Sequence, residues 1–564
     1  MRDKKEFYSI LQSIDGRAYS EYARIVGDFD FARYVLKISQ IQPEGTDTLF
    51  VVRVPQIIAA FPPHTFNSPV RRTALEDLLT REVARQIDLA AQIPGRSTGA
   101  QRLSIATPLQ KILPRASMVV TDEHVEARLY VRLPSVKGRV DTESACEVFF
   151  DQLPQVVNQS LIYCNLDEAK VEAFVDRMED ADQIRQLLPT QGLIGFIGEE
   201  CRPGRLTGSD LPAPGSSGFT VQPELVKEID VPNAGKVRGV GIPSGLTVIL
   251  GGESSGRADL MHTLAAGIYN HIPGDGRETS VTVPDAVYIP AEPGRSVQLV
   301  DVSPFFREIP GAQVKAYTSA SAPAAAAQAA SVVEALEVGA RVLLLDESDS
   351  AASFLARDAR LAALLPSDAA ANVPLSALAR ALVDDLGVSI VVAGCSAVSD
   401  FLTIADTVLC IENRAISDVT AKAKALGLPS TGTGRKDSLP DKFRWLVPAG
   451  IDPALGRLDD HIDAPDAHHL AFGRCNVDLT AVRQLADRHQ TATIGQILYY
   501  AKLRYLDEGR PIREVLDLVD RDLSTEGLEC LTRELRGDLA RPRRYEIAAA
   551  LNRLDTLRIS HISE

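Results

Sequence analysis

Between Thr247 and His262 the chain reads Thr-Val-Ile-Leu-Gly-Gly-Glu-Ser-Ser-Gly-Arg-Ala-Asp-Leu-Met-His: an apolar strand, a glycine turn and a helix start. A strand, glycine loop and helix in that order make a phosphate cradle, because backbone N–H groups and a helix N-terminus offer partial positive charge to an anion. In the pattern G-x-x-x-x-G-K-[ST], Gly251 and Gly256 take the glycine positions. Arg257 stands where a lysine would reach the outer phosphates, and Ala258 where a hydroxyl would hold Mg²⁺. Gly251, Gly252 and Gly256 would give backbone contacts to phosphate and Arg257 partial charge compensation, but Ala258 has no oxygen to offer a metal. Glu253 and Asp259 add carboxylates that repel phosphate.

Further along, Arg341-Val-Leu-Leu-Leu-Asp-Glu runs four apolar residues into Asp346-Glu347. This is a Walker B pattern, in which Asp346 would support Mg²⁺ through water and Glu347 would polarise an attacking water. A strand ending in Asp-Glu is common by chance and gains weight from the glycine loop before it. His468-His469 and the other histidines lack metal-ligand spacing.

These residues need an alternating strand and helix frame to place them. The runs 247–250, 341–346, 388–394 and 407–411, with an Ala-rich helix at 324–338, predict a parallel sheet. Upstream, a short amphipathic helix in 1–20 precedes a hairpin of Tyr34–Ile41 and Leu49–Val54. Ser68-Pro69 predicts the cap and first turn of a long helix with Leu75, Leu78, Leu79, Val83 and Ile87 in one stripe. Its other face carries Arg71, Arg72, Arg81 and Arg85, read as a mixed solvated face or as phosphate-backbone contacts. A strand at 125–133 alternates Val125, Ala127, Leu129 and Val131 with Glu126, Arg128, Tyr130 and Arg132, predicting one core face and one wet face. Helices are predicted near 142–159 and 166–187, a Pro/Gly/Ser-rich break at 202–218, and a tail with helices over 478–507, 511–521 and 542–557.

At 564 residues several domains are expected, since single cores stop growing at about 250–300 residues. A net charge of −15 argues against indiscriminate nucleic-acid or membrane binding and leaves only a local basic groove for such a partner. Seven scattered cysteines without a C-x-x-C pair fit reduced thiols. With a charged start and no apolar run of bilayer length, the expected location is cytoplasmic.

Several longer stretches carry a resemblance: Asn233-Ala-Gly-Lys-Val-Arg-Gly239, Gly267-Ile-Tyr-Asn-His-Ile-Pro-Gly-Asp-Gly-Arg-Glu278, Asp301-Val-Ser-Pro-Phe305, Val333-Glu-Ala-Leu-Glu-Val-Gly-Ala340, and the run from Gly537 to Arg553. Over essentially its whole length the chain resembles the bacterial family of ABC-class ATPases that flank an ABC-type nucleotide domain with their own N- and C-terminal domains. That family is similar to a kinetoplastid mitochondrial RNA-binding ABC protein. The resemblance implies an α/β fold: an ABC-type P-loop NTPase domain at 216–440 between an α+β N-terminal domain at 1–215 and a mostly helical domain at 441–564. It also implies ATP and Mg²⁺ as cofactors and Asp301 among the cofactor-binding residues. As partners it implies RNA or DNA near the N-terminal domain, where Arg71, Arg72, Arg96, Arg128 and Arg132 are the candidate contacts. The chain would form a homodimer or pair with an active paralogue.

Family members carry Gly-Lys-Ser/Thr where this chain has Gly256-Arg257-Ala258, and a Ser-Gly signature where it has Ser321-Ala-Pro-Ala-Ala-Ala-Ala-Gln328. Lost lysine, lost hydroxyl and lost signature strike three parts of one mechanism. A pseudo-ATPase is therefore expected, the alternative being an active ATPase acting on nucleic acid.

Overall fold

The computed structural model describes residues 1–92, 102–357, 364, 371–426, 443–454, 461–506 and 509–562. Two units are present, Met1–Glu179 with Leu528–Arg541 and Asp180–Gly527 with Pro542–Glu564.

In the first unit the Ser68 hydroxyl accepts the Arg71 N–H at 3.2 Å and starts the helix Pro69–Ala91, as the Ser-Pro pair predicts. The expected hairpin is present as Val35–Ile38 against Thr48–Pro55. It belongs to a sheet ordered Arg2–Asp3, Gly27–Asp30, Val35–Ile38, Thr48–Pro55, His124–Val131, Leu103–Ser104, with Met118–Val120 also paired to His124–Val131. Phe7 anchors the core, its ring 4.6 Å from Phe29 and 5.2 Å from Phe149 in edge-to-face contacts.

The wet face predicted for the strand at 124–131 is corrected by the fold. Glu126 and Arg128 are buried: residues 528–541 return from far along the chain onto Arg128, and Glu126 pairs with Arg53 and Arg128. Arg128 pairs with Glu126 at 3.0 Å and with Glu529. The Tyr130 hydroxyl donates to Asp538 at 3.0 Å and accepts the Gly537 N–H at 3.0 Å. A Cβ at Gly537 would lie 2.8 Å from Arg128 Cβ, so glycine is what lets the segment approach.

In the second unit a seven-stranded sheet runs Thr220–Val221, Ala415–Asp418, Thr407–Glu412, Leu246–Leu250, Ser389–Gly394, Val342–Asp346, Ala286–Tyr288. The last five are mutually parallel, and Ala415–Asp418 returns antiparallel. Continuous burial of Val342–Asp346 and Ser389–Gly394 explains their unbroken apolar sequence, since a parallel sheet is covered on both faces. The alanines of helix Ala324–Glu337 pack in the same core as Val248, Leu343, Leu345 and Ile390. A second, antiparallel sheet joins Val226–Val231, Gly235–Pro243, Leu193–Gly198 and Ser280–Thr282.

Toward the C-terminus the helix predicted from 478 begins at Arg488, where the Asp487 carboxylate accepts the His489 and Gln490 N–H groups at 3.0 and 3.3 Å. Before it, Ile462–Asp463, His469–Phe472 and Cys475–Asp478 form a small antiparallel sheet that the helical pattern did not anticipate. The helices Ile512–Thr525 and Arg544–Leu551 lie within or beside the predicted ranges. Among the described residues no helix is long and apolar enough to cross a membrane.

Candidate functional site

Strand Leu246–Leu250 delivers the chain into the glycine loop, and helix Arg257–Ala266 leaves it. Both motif glycines are favoured by the fold, Gly251 by space and Gly256 by backbone conformation. A Cβ at Gly251 would lie 2.4 Å from Ser255 Oγ, and Gly256 caps the helix at φ +98°, a left-handed conformation that glycine adopts without strain. Several of the loop's polar groups are met within the protein. The Gly251 N–H donates to Gly394 O at 3.1 Å, the Ser255 hydroxyl to Gly252 O at 2.7 Å, and the Arg257 N–H to Ser255 Oγ at 3.2 Å. Gly252 and Glu253 are exposed.

Arg257 does not face the cradle as a phosphate ligand. It is buried, donating from Nη1 to Gly251 O at 2.8 Å and from Nη2 to Asp346 Oδ1 at 3.1 Å. The same Asp346 oxygen accepts the Ser348 N–H at 2.9 Å and the Ser348 hydroxyl at 2.6 Å, while buried Oδ2 has no hydrogen-bond partner among the described residues. The residues here do not fit Mg²⁺. Ala258 supplies no oxygen, one Asp346 oxygen is committed to three donors, and a guanidinium already answers the carboxylate's charge.

Glu347 opens the next turn, and both of its oxygens are engaged. Oε2 accepts the Cys395 and Ser396 N–H groups at 2.6 and 2.9 Å; Oε1 accepts the Ala397 N–H at 3.0 Å and the Ser396 hydroxyl. Burial alone would raise this carboxyl, but the Ser396 hydroxyl and the three N–H groups outweigh it and hold the pKa at about 2. A group whose folded pKa is lowered contributes stability above its unfolded value and loses it as pH falls. Glu347→Gln is therefore expected to be less stable than the wild type at neutral pH, with the gap closing as pH falls from 4.5 toward 2. Urea midpoints across that range check it, and a gap that stays constant would contradict the assignment.

The repulsion expected from Asp259 is answered by a residue that sequence spacing could not connect to it. Arg414 pairs with Asp259, donates to Ser217 O at 3.2 Å, and lies over the Phe219 ring at 5.8 Å. Its backbone N–H also holds Ser255 O at 2.9 Å, at a left-handed φ of +65°. In the signature-like stretch, Pro323 precedes the helix without a side-chain cap, and buried Gln328 donates to Ile289 O and Ser350 Oγ at 3.0 and 2.9 Å while accepting the Ala351 N–H at 2.9 Å. Gln328 thus braces the turn after Glu347. Asp301 follows strand Val297–Val300 and accepts the Ser303 N–H at 3.0 Å.

Of the five arginines read as nucleic-acid contacts, the four among the described residues are not brought together on one open face. Arg71 is buried, paired with Asp176 at 2.8 Å and Glu179 at 2.5 Å, and Arg128 is buried as described, so neither charge is turned to solvent. Arg72 and Arg132 are exposed, the latter donating to Asp47 at 2.9 Å. Arg96 lies outside the described residues. In the basic tail Arg543 pairs with Glu546 at 2.5 Å, Arg544 with Asp517, and Arg553 with Glu292 at 2.5 Å. His469 pairs with Asp466 at 2.8 Å, and among the described residues no group of three or more His, Cys, Asp or Glu is placed to hold a metal ion.

Three family models match in succession: the N-terminal domain of ATPases of the ABC class over residues 4–164, the P-loop domain of the ABC ATPases over 167–442, and the MRB1590 C-terminal domain over 461–560. Among solved structures, cbiO1 from Clostridium perfringens, described as part of the ABC transporter complex cbiONQ, matches 42% of this chain and 94% of its own at 13% identity, with a TM-score of 0.24. No curated protein matches the chain.

Proposed function

The chain belongs to the ATPases of the ABC class, and within them we propose that it is a member that no longer hydrolyses ATP and serves as a nucleic-acid-binding scaffold. The saturation of Glu347 carries the first half. A general base needs an oxygen directed at the water and a pKa near the working pH. Glu347 gives both oxygens to the 395–397 turn and is held at about pKa 2, so it has neither. The altered Arg257-Ala258 pair removes metal support at the same site.

The experiment is steady-state turnover of the purified chain with ATP and Mg²⁺. Turnover at the buffer background, unchanged in Glu347→Gln, is expected. Hydrolysis that Glu347→Gln abolishes would overturn the proposal.

Nucleic-acid binding is supported by the resemblance of the N-terminal region and by the exposed charges of Arg72 and Arg132. RNA is the favoured partner. If both arginines meet phosphates, Arg72→Ala with Arg132→Ala lowers the slope of log affinity against log salt by about 1.4 on single-stranded RNA. Filter binding over a salt series measures this. An unchanged slope would remove these two residues from the interface, and no complex at low salt would remove the nucleic acid.

A further inference from the structure

Resting on the non-hydrolysing assignment above, we propose that Arg257 is the resident cation of this site, standing where a divalent metal would meet Asp346 and making the site closed to metal and independent of it. Three observations bear on this. The guanidinium and the carboxylate are buried together, with side-chain exposures of 5% and 2%. The planar fork makes two contacts at once, Nη2 to Asp346 Oδ1 at 3.1 Å and Nη1 to Gly251 O at 2.8 Å, which ties the end of one strand to the start of the glycine loop. A lysine ammonium is a single point of charge and lacks that geometry. Ala258, next in sequence, withdraws the hydroxyl that a metal would need and that a guanidinium does not.

Electrostatics also favour exclusion. A divalent ion at the remaining Asp346 oxygen would share one carboxylate with a buried guanidinium, and like charges a few ångströms apart repel strongly where water is excluded. The loop therefore holds its shape with its own side chain, and the buried Oδ2 becomes available to a metal only when Arg257 is removed.

The test uses the full-length chain and Mn²⁺ as the probe, with uptake read from loss of the free-ion electron paramagnetic resonance signal. The wild type is expected to take up no Mn²⁺ beyond the background that Asp346→Asn shows, and to melt at the same temperature in EDTA and in millimolar Mg²⁺. Arg257→Met with Ala258→Ser, which keeps the stem, removes the charge and returns the hydroxyl, is expected to gain saturable uptake at least tenfold above that background, lost again when Asp346→Asn is added. Should that pair not fold, Arg257→Gln with Ala258→Ser serves in its place, with the same gain expected. Saturable uptake by the wild type that Asp346→Asn removes, a melting temperature raised by Mg²⁺, or folded Arg257 variants that gain nothing would each overturn the proposal. Turnover is not the readout, so Mn²⁺ uptake without hydrolysis sinks this proposal alone, whereas ATP hydrolysis sinks the non-hydrolysing assignment.

Discussion

Asp346→Ala is expected to destabilise the chain by about 3–5 kcal/mol, because it leaves the Arg257 guanidinium buried without a counter-charge. The cost arises from desolvation. A lone buried cation keeps the penalty of leaving water and loses the attraction that offset it, while Ser348 also loses the acceptor for its N–H and hydroxyl. Replacing both partners by apolar residues of similar size, Arg257→Met with Asp346→Leu, removes the charge that made the single change costly. That double variant is expected to recover most of the loss, as apolar replacements of whole buried pairs do. Chemical denaturation of the wild type, Arg257→Met, Asp346→Leu and the double variant isolates the coupling between the two residues. If Asp346→Ala alone proves nearly neutral, the ion pair does not hold the loop. An aspartate facing an open metal position behaves differently, since its loss changes ligand affinity and leaves the ligand-free fold nearly untouched.

Residues 1–179 made without 528–541 are expected to lose their cooperative unfolding transition and to bind a hydrophobic dye. The missing segment contributes Leu531, Leu539 and Ala540 to the core of the first unit and meets buried Arg128. Without it Arg128 loses Glu529, Tyr130 loses Asp538, and an apolar face meets water. Joining 528–541 to residue 179 through a flexible linker is expected to restore the transition. Gly537→Val in the full chain is a milder form of the same test. Its Cβ would meet Arg128 at 2.8 Å, and forced overpacking of this kind costs about 1–3 kcal/mol. A stable, dye-silent 1–179 fragment would show that the segment is an accessory to the unit and no part of its core.

Local patterns in the sequence specified much of the frame around the site. Ser68-Pro69 set a helix start, the apolar run before Asp346 set a buried parallel strand, and the glycines at 251 and 256 set the loop between Leu246–Leu250 and Arg257–Ala266. The departures from the motif were equally legible, since an alanine has no oxygen wherever it is placed. Each of these depends on neighbours along the chain, through periodicity, capping or backbone conformation, and such forces leave a local signature.

The direction in which each charge points was decided only by the tertiary structure. Arg257 reads as a residue for phosphate, yet its guanidinium turns to Asp346, which is distant in sequence and adjacent only because two strands and a helix converge. Glu347 reads as a base, yet the turn after Gly394 surrounds it with donors. Arg71 and Arg128 read as surface charges, yet carboxylates on distant segments draw them inward, and the segment that hides Arg128 returns from residues 528–541. A long, flexible, charged side chain settles wherever the fold sets an opposite charge within a few ångströms, because its Coulomb and desolvation energies exceed any local preference. Sequence therefore determined which groups the site has, and folding determined that they neutralise one another.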